Sequence, residues 1–340
     1  MDPVSRYRHL EKFGFPAAPH RWLPWRVSNN QRDYDRTLRE CASYTHDCNN
    51  LRLSPARSYC SAVTSKSVWP TSLAVSIVGP GRVGASLAHW AIEKGSSLRQ
   101  VAARRVARAQ RLVSELGGRA SSITELCTEN DDLLLVTVSD AAIPEVARTL
   151  SHHRQARVVL HCSGRLDASA LACLRKRGSA VGTLHPLMAF PDVSKDVLDA
   201  REVVFAVDGD PEATDLATQI AQGFGGTAVR VESEARNLYH LGATLAAGGV
   251  VTLVAAACDL ATRLGIEPSI GRGYVRLAQG ALEKAASSDS IAEAITGPVA
   301  RGEIEEYQEQ ISRLRSVDPD LAEIAERLAR RSESLLRRTD

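Results

Sequence analysis

One stretch limits the fold more than any other: Leu73-Ala-Val-Ser-Ile-Val-Gly-Pro-Gly-Arg-Val-Gly84. The apolar run Leu73 to Val78 reads as a buried strand, Gly79-Pro-Gly81-Arg-Val-Gly84 as a G-x-G-x-x-G turn, and Ala85 to Lys94 as a helix. The glycine pattern alone is weak and also occurs as a plain turn in unrelated α/β proteins. Between a strand and a helix it becomes informative. Gly79 permits the tight turn, Gly81 lets the backbone approach a pyrophosphate, and Gly84 lets the helix pack close to the strand. The helix start adds N–H groups and the positive end of a dipole for phosphates. Gly79, Gly81, Arg82, Val83 and Gly84 are therefore candidate cofactor-binding residues.

Beyond this unit the chain alternates strand and helix. Strands are expected at Leu98 to Ala103, Asp131 to Val138, Arg157 to Cys162, Ala180 to Leu184, Glu202 to Val207 and Thr227 to Val231. Helices are expected at about Val106 to Leu116, at Pro144 and at about Pro211 to Phe224. Such alternation implies a mostly parallel sheet covered on both faces. After Glu232 the pattern turns helical. Glu234 to Leu264 has no Pro and is apolar nearly all round, which requires cover on all faces. Gly242, Ala246 and Gly249 would let neighbouring backbones approach one side of it. Further helices are expected at Ser269 to Ser287, Ser290 to Ile295 and Pro319 to Arg338. The fold class is α/β: a Rossmann-type, mostly parallel sheet with a C-terminal all-helical domain. The expected division is 1–70 as a poorly ordered extension, 71–232 as the nucleotide-binding domain and 233–340 as a helical dimerisation and substrate domain.

The extension differs in composition. It holds Trp22, Trp25 and Trp69 and the cysteines at 41, 48 and 60, without a sustained period. Asp2, Glu11, Asp33, Asp35, Glu40 and Asp47 argue against a transit peptide, and no secretory h-region is present. The net charge of +2 gives no push toward nucleic acid or a membrane surface. No apolar run is expected to span a bilayer without a charge. Seven cysteines without a CxxC pair or metal-ligand spacing fit reduced thiols, no metal and a cytoplasmic setting.

In an open parallel sheet, ligands lie outside the carboxyl ends of the strands. That rule selects the glycine turn, Arg104-Arg105, Ser139-Asp140, Ser163-Gly164 and His185-Pro186. An NAD site usually places an acid about 20 residues past the glycine motif, for the ribose 2′-hydroxyl. Here that position reads Ala102-Ala-Arg-Arg105, suited to a 2′-phosphate, and NADP(H) is favoured over NAD(H). The bland reading is a solvated basic helix start. Ser139 and Ser163 would flank the nicotinamide. His185 could donate to a substrate oxygen or be a satisfied core histidine, and for His161 the core reading is preferred. His240 is a polar intrusion in the apolar helix, beside Tyr239, and needs a partner, water or substrate.

The ordered set of motifs resembles the Rossmann-like/DUF2520 family. That family is related to the 6-phosphogluconate dehydrogenase-like, β-hydroxyacid dehydrogenase and pyrroline-5-carboxylate reductase group. The matching pieces are the Gly79–Gly84 turn, Thr137-Val-Ser-Asp140, Leu160-His-Cys-Ser-Gly164, Leu184-His-Pro-Leu187, Leu238-Tyr-His-Leu-Gly-Ala243 and Ile295-Thr-Gly-Pro-Val-Ala-Arg-Gly-Glu303. The resemblance spans about Leu73 to Leu336. It implies an NAD(P)-binding domain, a 6-phosphogluconate dehydrogenase-like C-terminal helical domain, a homodimer built on the helices and a cleft between the domains. Members often carry Ser-Asn late in the central helix, where this chain has Ala247-Gly248. Related dehydrogenases keep a Lys on that helix, and none occurs between Lys195 and Lys284. His240 becomes the first candidate proton donor, with Ser163 and His185 as further catalytic candidates. Arg301 could reach an anionic substrate or cap carbonyls.

The expectation is an NADP(H)-dependent oxidoreductase acting on a small oxo or hydroxy acid, or on an imine or amine. The alternatives are a non-catalytic NADP(H)-binding regulator or scaffold, and a dimerisation protein that binds no cofactor.

Overall fold

The computed structural model describes residues 72–153, 155–190, 200–201 and 203–337. The reading of residues 1–70 lies outside them. Eight strands form one sheet: β1 (Ala74–Val78), β2 (Ser97–Ala102), β3 (Arg119–Ser121), β4 (Leu133–Val136), β5 (Val158–His161), β6 (Ala180–Pro186), β7 (Val204–Gly209) and β8 (Thr227–Arg230). Their order is β3-β2-β1-β4-β5-β6-β7-β8. Pairing is parallel from β3 through to β6, antiparallel between β6 and β7, and parallel again between β7 and β8. The order reverses between β1 and β4, where ligands of open α/β sheets collect.

Helices cover both faces. On one side lie α1 (Arg82–Glu93), α2 (Val106–Leu116) and α5 (Pro211–Gly223); on the other lie α3 (Ile143–Leu150) and the short α4 (Ala172–Arg175). Strand β4 shows why its sequence is one continuous apolar run. Leu133 and Leu135 face the first layer while Leu134 and Val136 face the second, and all four are buried.

The remainder is helical: α6 (Arg236–Thr244), a π turn (Leu245–Gly249), α7 (Val250–Arg263), α8 (Ile270–Ser287), α9 (Pro298–Arg301), α10 (Ile304–Arg315) and α11 (Pro319–Leu336). The long central helix exists, with a widened π turn at Gly248-Gly249, where helix propensity is poorest. Ile291–Ala294, expected as a helix, is a single 3-10 turn.

One expectation fails here, and the cover expected for the central helix is left to something other than the described residues. Ser233–Arg263 is a 31-residue helical stretch long and apolar enough, by length and composition, to cross a membrane, so a run of that length does occur. It carries no Asp, Glu, Lys or Arg from Asn237 to Cys258. Nor is it covered within one chain. Of α6 and α7 only Arg236 and Ala261 are buried, and Leu238 is 74% exposed. Gly242 and Gly248 face open space, and no backbone among the described residues approaches them.

The glycine turn is tightly specified by contrast. Gly79 has φ +98°, a conformation that favours glycine. A Cβ on Gly84 would lie 2.4 Å from the Gly79 carbonyl oxygen and 2.4 Å from Thr137 Oγ1. Backbone cannot yield as a side chain can. Gly84→Val should therefore lower stability by about 1–3 kcal/mol, the usual range for overpacking. Urea unfolding of the variant against wild type measures it, and an unchanged midpoint would contradict this packing.

Candidate functional site

Three loops meet at the carboxyl ends of the parallel strands. After β1, Thr137 Oγ1 at the end of β4 donates to the carbonyl of Gly79 at 2.6 Å and to that of Val78 at 3.1 Å. The Gly79 amide donates to the Ala102 carbonyl at 2.9 Å, tying the turn to the end of β2. Gly81 is the residue before α1 and has no side chain to cap it, and the N–H groups that open a helix find no acceptor within the helix itself. A Cβ on Gly81 would meet nothing within 4 Å. This open ground before a helix start fits a pyrophosphate. Arg82 also donates to the Phe190 carbonyl at 3.3 Å.

After β2, Arg104 and Arg105 are exposed, and neither has a carboxylate partner among the described residues. Arg105 immediately precedes α2, whose first turn holds no acid. Two cations there oppose the helix dipole, at about 0.3–1 kcal/mol each. A bound phosphate would reverse that penalty. Ser139 is exposed past the end of β4, two strands over from β2 in the sheet.

After β5 and β6 lies a cluster of ionisable groups. His185, at the end of β6, places Nδ1 2.8 Å from the Tyr239 hydroxyl, and the two rings meet edge to face. The His240 ring lies 6.2 Å from that of His185. Gly164 forms their floor: a Cβ there would lie 2.7 Å from His240 Nδ1 and 2.9 Å from His185 Nε2. His240 Nδ1 is buried with no hydrogen-bond partner among the described residues. An unpaired buried nitrogen is costly, and a ligand group could satisfy it.

Arg236 is the largest fully buried side chain. One terminal nitrogen donates to the carbonyls of Ser163 and Leu166 at 3.3 and 3.2 Å, the other donates to Thr183 Oγ1, and Nε has no partner. No carboxylate pairs with it among the described residues. Burial and the Arg236 and His240 charges push His185 down to about 4. Burial raises the Tyr239 phenol above its ordinary value, while Arg236 pulls it back.

The structure thus brings His185 and His240 together, with Ser163 beneath them. The Ser163 hydroxyl accepts from the amides of Arg165 and Leu166 at 3.2 and 3.0 Å, so it braces the loop. His161 is a core residue: Nε2 bonds the Asp167 carbonyl at 2.9 Å and Nδ1 accepts from the Ser163 amide at 3.2 Å. Burial lowers it to about 4 as well. Arg301 is exposed and paired with Glu303 at 2.5 Å. Arg236 and Tyr239 were not among the expected site residues. Their signal is spacing: Arg236, Tyr239 and His240 stand at i, i+3 and i+4, one face of a helix.

Residues 60–186 match the model of the Rossmann-like domain, and residues 203–332 match that of the domain of unknown function DUF2520. The chain carries these two domains in series and belongs to the Rossmann-like/DUF2520 family. No curated protein matches it in sequence. Among solved structures it is similar to protein TM1727 from Thermotoga maritima, at 22% identity and TM-score 0.65 over 78% of this chain and 99% of that one. It is also similar to the reductive aminase from Aspergillus terreus in complex with NADPH and ethyl-5-oxohexanoate, at 17% identity and TM-score 0.54, covering 79% and 100%. A third is the imine reductase from Myxococcus stipitatus in complex with NADP+, at 16% identity and TM-score 0.55, covering 76% and 93%. At such identities the likeness establishes the fold.

The buried histidines carry a pH signature. Unfolded, each takes up its proton near 6.5; folded, His161 and His185 hold out until about 4. Below 6.5 the unfolded chain binds more protons, so stability is full above that pH and falls between 6.5 and 4. The loss should be on the order of 3 kcal/mol per histidine. Urea midpoints at pH 7 and pH 4.5 measure it; equal midpoints would contradict the neutral, buried placement.

Proposed function

We propose that this protein is an NADP(H)-dependent oxidoreductase that reduces a small oxo acid or imine, or oxidises the matching hydroxy acid or amine. One observation carries the reading. A glycine turn with open ground at Gly81 stands at the same edge of the sheet as the His185, Tyr239 and His240 cluster. The NADPH and NADP+ held by the reductive aminase and the imine reductase support it. Gly79, Gly81, Arg82, Val83 and Gly84 would hold the pyrophosphate, Arg104 and Arg105 the 2′-phosphate, and Ser139 the edge nearer the nicotinamide. Bound there, the reduced nicotinamide supplies a hydride. The chain's part is to seat the substrate beside the His185, Tyr239 and His240 cluster and deliver a proton.

A second reading, a regulator that binds NADP(H) without turnover, draws on the absence of any lysine between Lys195 and Lys284. The two readings share the cofactor and differ in turnover.

Titration of the full chain by fluorescence should give tighter binding of NADPH than of NADH. Arg104→Ala with Arg105→Ala should weaken NADPH by about 10- to 100-fold and leave NADH nearly unchanged, as expected for charge-assisted hydrogen bonds. No binding of either cofactor would remove both readings.

The partner in this proposal is a second copy of the chain, seated on the bare face of α6, α7 and α8. Leu238, Leu241, Leu245, Val251, Val275 and Leu277 are all exposed on these helices, and large exposed apolar patches mark interaction sites. The open space at Gly242 and Gly248 suits close approach of another helix. Exposed ion pairs such as Arg263–Asp259 and Arg276–Glu283 on α7 and α8 suit water and a protein rim better than lipid. Light scattering should give twice 36.7 kDa. Val251→Glu with Leu277→Glu should give a monomer. A monomeric wild type, or one that partitions onto lipid vesicles, would overturn this assembly.

A further inference from the structure

We propose that Tyr239 is the acid of this site, giving its phenol proton to the substrate's oxygen or nitrogen while His185 steadies the oxygen left behind. The proposal rests on the reductase reading above and names the residue that supplies its proton.

Three groups could in principle serve. His185 is poor in protons: buried beside Arg236 and His240, it titrates at about 4 and carries a single ring hydrogen at neutral pH. Giving up that hydrogen would leave an imidazolate. His240 turns Nδ1 toward the floor at Gly164, buried and, among the described residues, without a partner to replace a lost proton. Tyr239 is protonated at neutral pH, and its hydroxyl oxygen lies 2.8 Å from a ring nitrogen of His185. It is half-buried, between the buried base of the cluster and the exposed end of α6. It alone combines an available proton with a partner for the oxygen.

The surrounding geometry fixes this pair. His185 is held at the end of β6, with Gly164 so close beneath its ring that a methyl group would collide. Tyr239 is held by Arg236, one turn earlier on α6, whose guanidinium bonds the carbonyls of Ser163 and Leu166. That cation forms no ion pair with a carboxylate among the described residues, Asp208 and Asp167 acting on it from further off, and its charge favours the tyrosinate.

The step balances as follows. Hydride adds to the carbon of C=O or C=N, and the π pair moves onto oxygen or nitrogen. That pair takes the proton from Tyr239 Oη. The conjugate base so formed is far stronger than tyrosinate, so the transfer runs downhill. Tyrosinate accepts a hydrogen bond from His185 Nδ1–H, feels the Arg236 charge and regains its proton from water after product leaves. This requires that His185 carry its hydrogen on Nδ1. Were it on Nε2, the phenol would be donating to Nδ1 and its proton would be engaged.

Nitrogen-15 NMR of the histidine rings in the full chain reads that tautomer directly, with His185 assigned by the signal lost in His185→Asn. Nδ1 protonated and Nε2 bare is expected; the reverse overturns the proposal, with or without cofactor. Turnover is then tested with NADPH on glyoxylate and on 1-pyrroline. Tyr239→Phe should lower kcat by about 100-fold or more, the usual share of general acid catalysis, with KM within threefold and NADPH binding unchanged. His185→Asn, which keeps a donor near the Nδ1 position, should retain more of kcat than His185→Leu. A Tyr239→Phe enzyme at wild-type kcat overturns the proposal. A wild type that binds no NADPH overturns the reductase reading, whatever the tautomer. Thermal midpoints within a few degrees of wild type separate loss of chemistry from loss of fold.

Discussion

The site depends on one buried cation. Arg236 begins α6 and reaches back beneath the sheet edge, donating to the carbonyls of Ser163 and Leu166 after β5 and to Thr183 Oγ1 on β6. Burying a guanidinium without a carboxylate is expensive, and hydrogen bonds to oriented carbonyls offset only part of that cost. What the arrangement gains is position. The first turn of the helical region is fixed to the strands, so Tyr239 and His240, three and four residues on, project over Gly164. The same charge lowers the proton affinity of His161 and His185 and favours negative charge on Tyr239. One residue thus sets both the geometry and the electrostatics of the cluster.

Past that first turn the physics of the helix changes. From Leu241 to Cys258 every residue is apolar, small or Thr, and composition alone cannot distinguish a bilayer span from a protein interface. Placement does more. The stretch begins directly after the Arg236–His240 cluster and ends in the ion-paired Asp259 and Arg263, so both ends are polar and one adjoins a proposed active site. The glycines add to this. Gly248-Gly249 loosens the helix into a π turn, and Gly242 leaves a shallow groove. Small residues pack helix against helix and offer little area to lipid tails. A second copy on this face would also border the cleft at Leu238 and Leu241, which flank Tyr239 and His240 in sequence.

Most of the sheet was legible because its strands are buried on both faces. Val158-Val-Leu-His161 and Leu133-Leu-Leu-Val136 have no polar alternation to confuse with a helix, and the glycine turn marks where the first one ends. Strand β3 escaped because Arg119-Ala-Ser121 is three residues long and lies at the sheet edge, with no apolar run to announce it. Helix α10 escaped for the opposite reason. Ile304 to Arg315 is rich in Glu and Arg, stabilised by pairs such as Arg313–Glu309, and buries only Ile311. The antiparallel turn into β7 was illegible, because a short apolar strand carries no mark of its direction. Within the site, His185 and His240 were visible as polar residues in apolar settings. Arg236 and Tyr239 were harder to see, since a charged residue at a helix start and an aromatic in an apolar helix are both ordinary. Only their common face made them a group.

That common face also bears on the missing lysine. A lysine on that helix would bring a positive charge and a transferable proton in one side chain. Burial here separates the two. Arg236 keeps its proton at any ordinary pH, so it can supply charge but cannot act as an acid. Tyr239 has a proton to give but, in a half-buried setting, resists losing it. Set one helical turn apart, the cation favours the anion that the phenol must become, and each residue supplies what the other lacks. The same division explains why the cation lies beneath the sheet edge and not in the cleft. A guanidinium exposed to solvent would be screened, whereas one held among carbonyls at the base of the cluster acts through low-dielectric protein. Within that proposal the absence of lysine between Lys195 and Lys284 corresponds to a different distribution of charge and proton on α6.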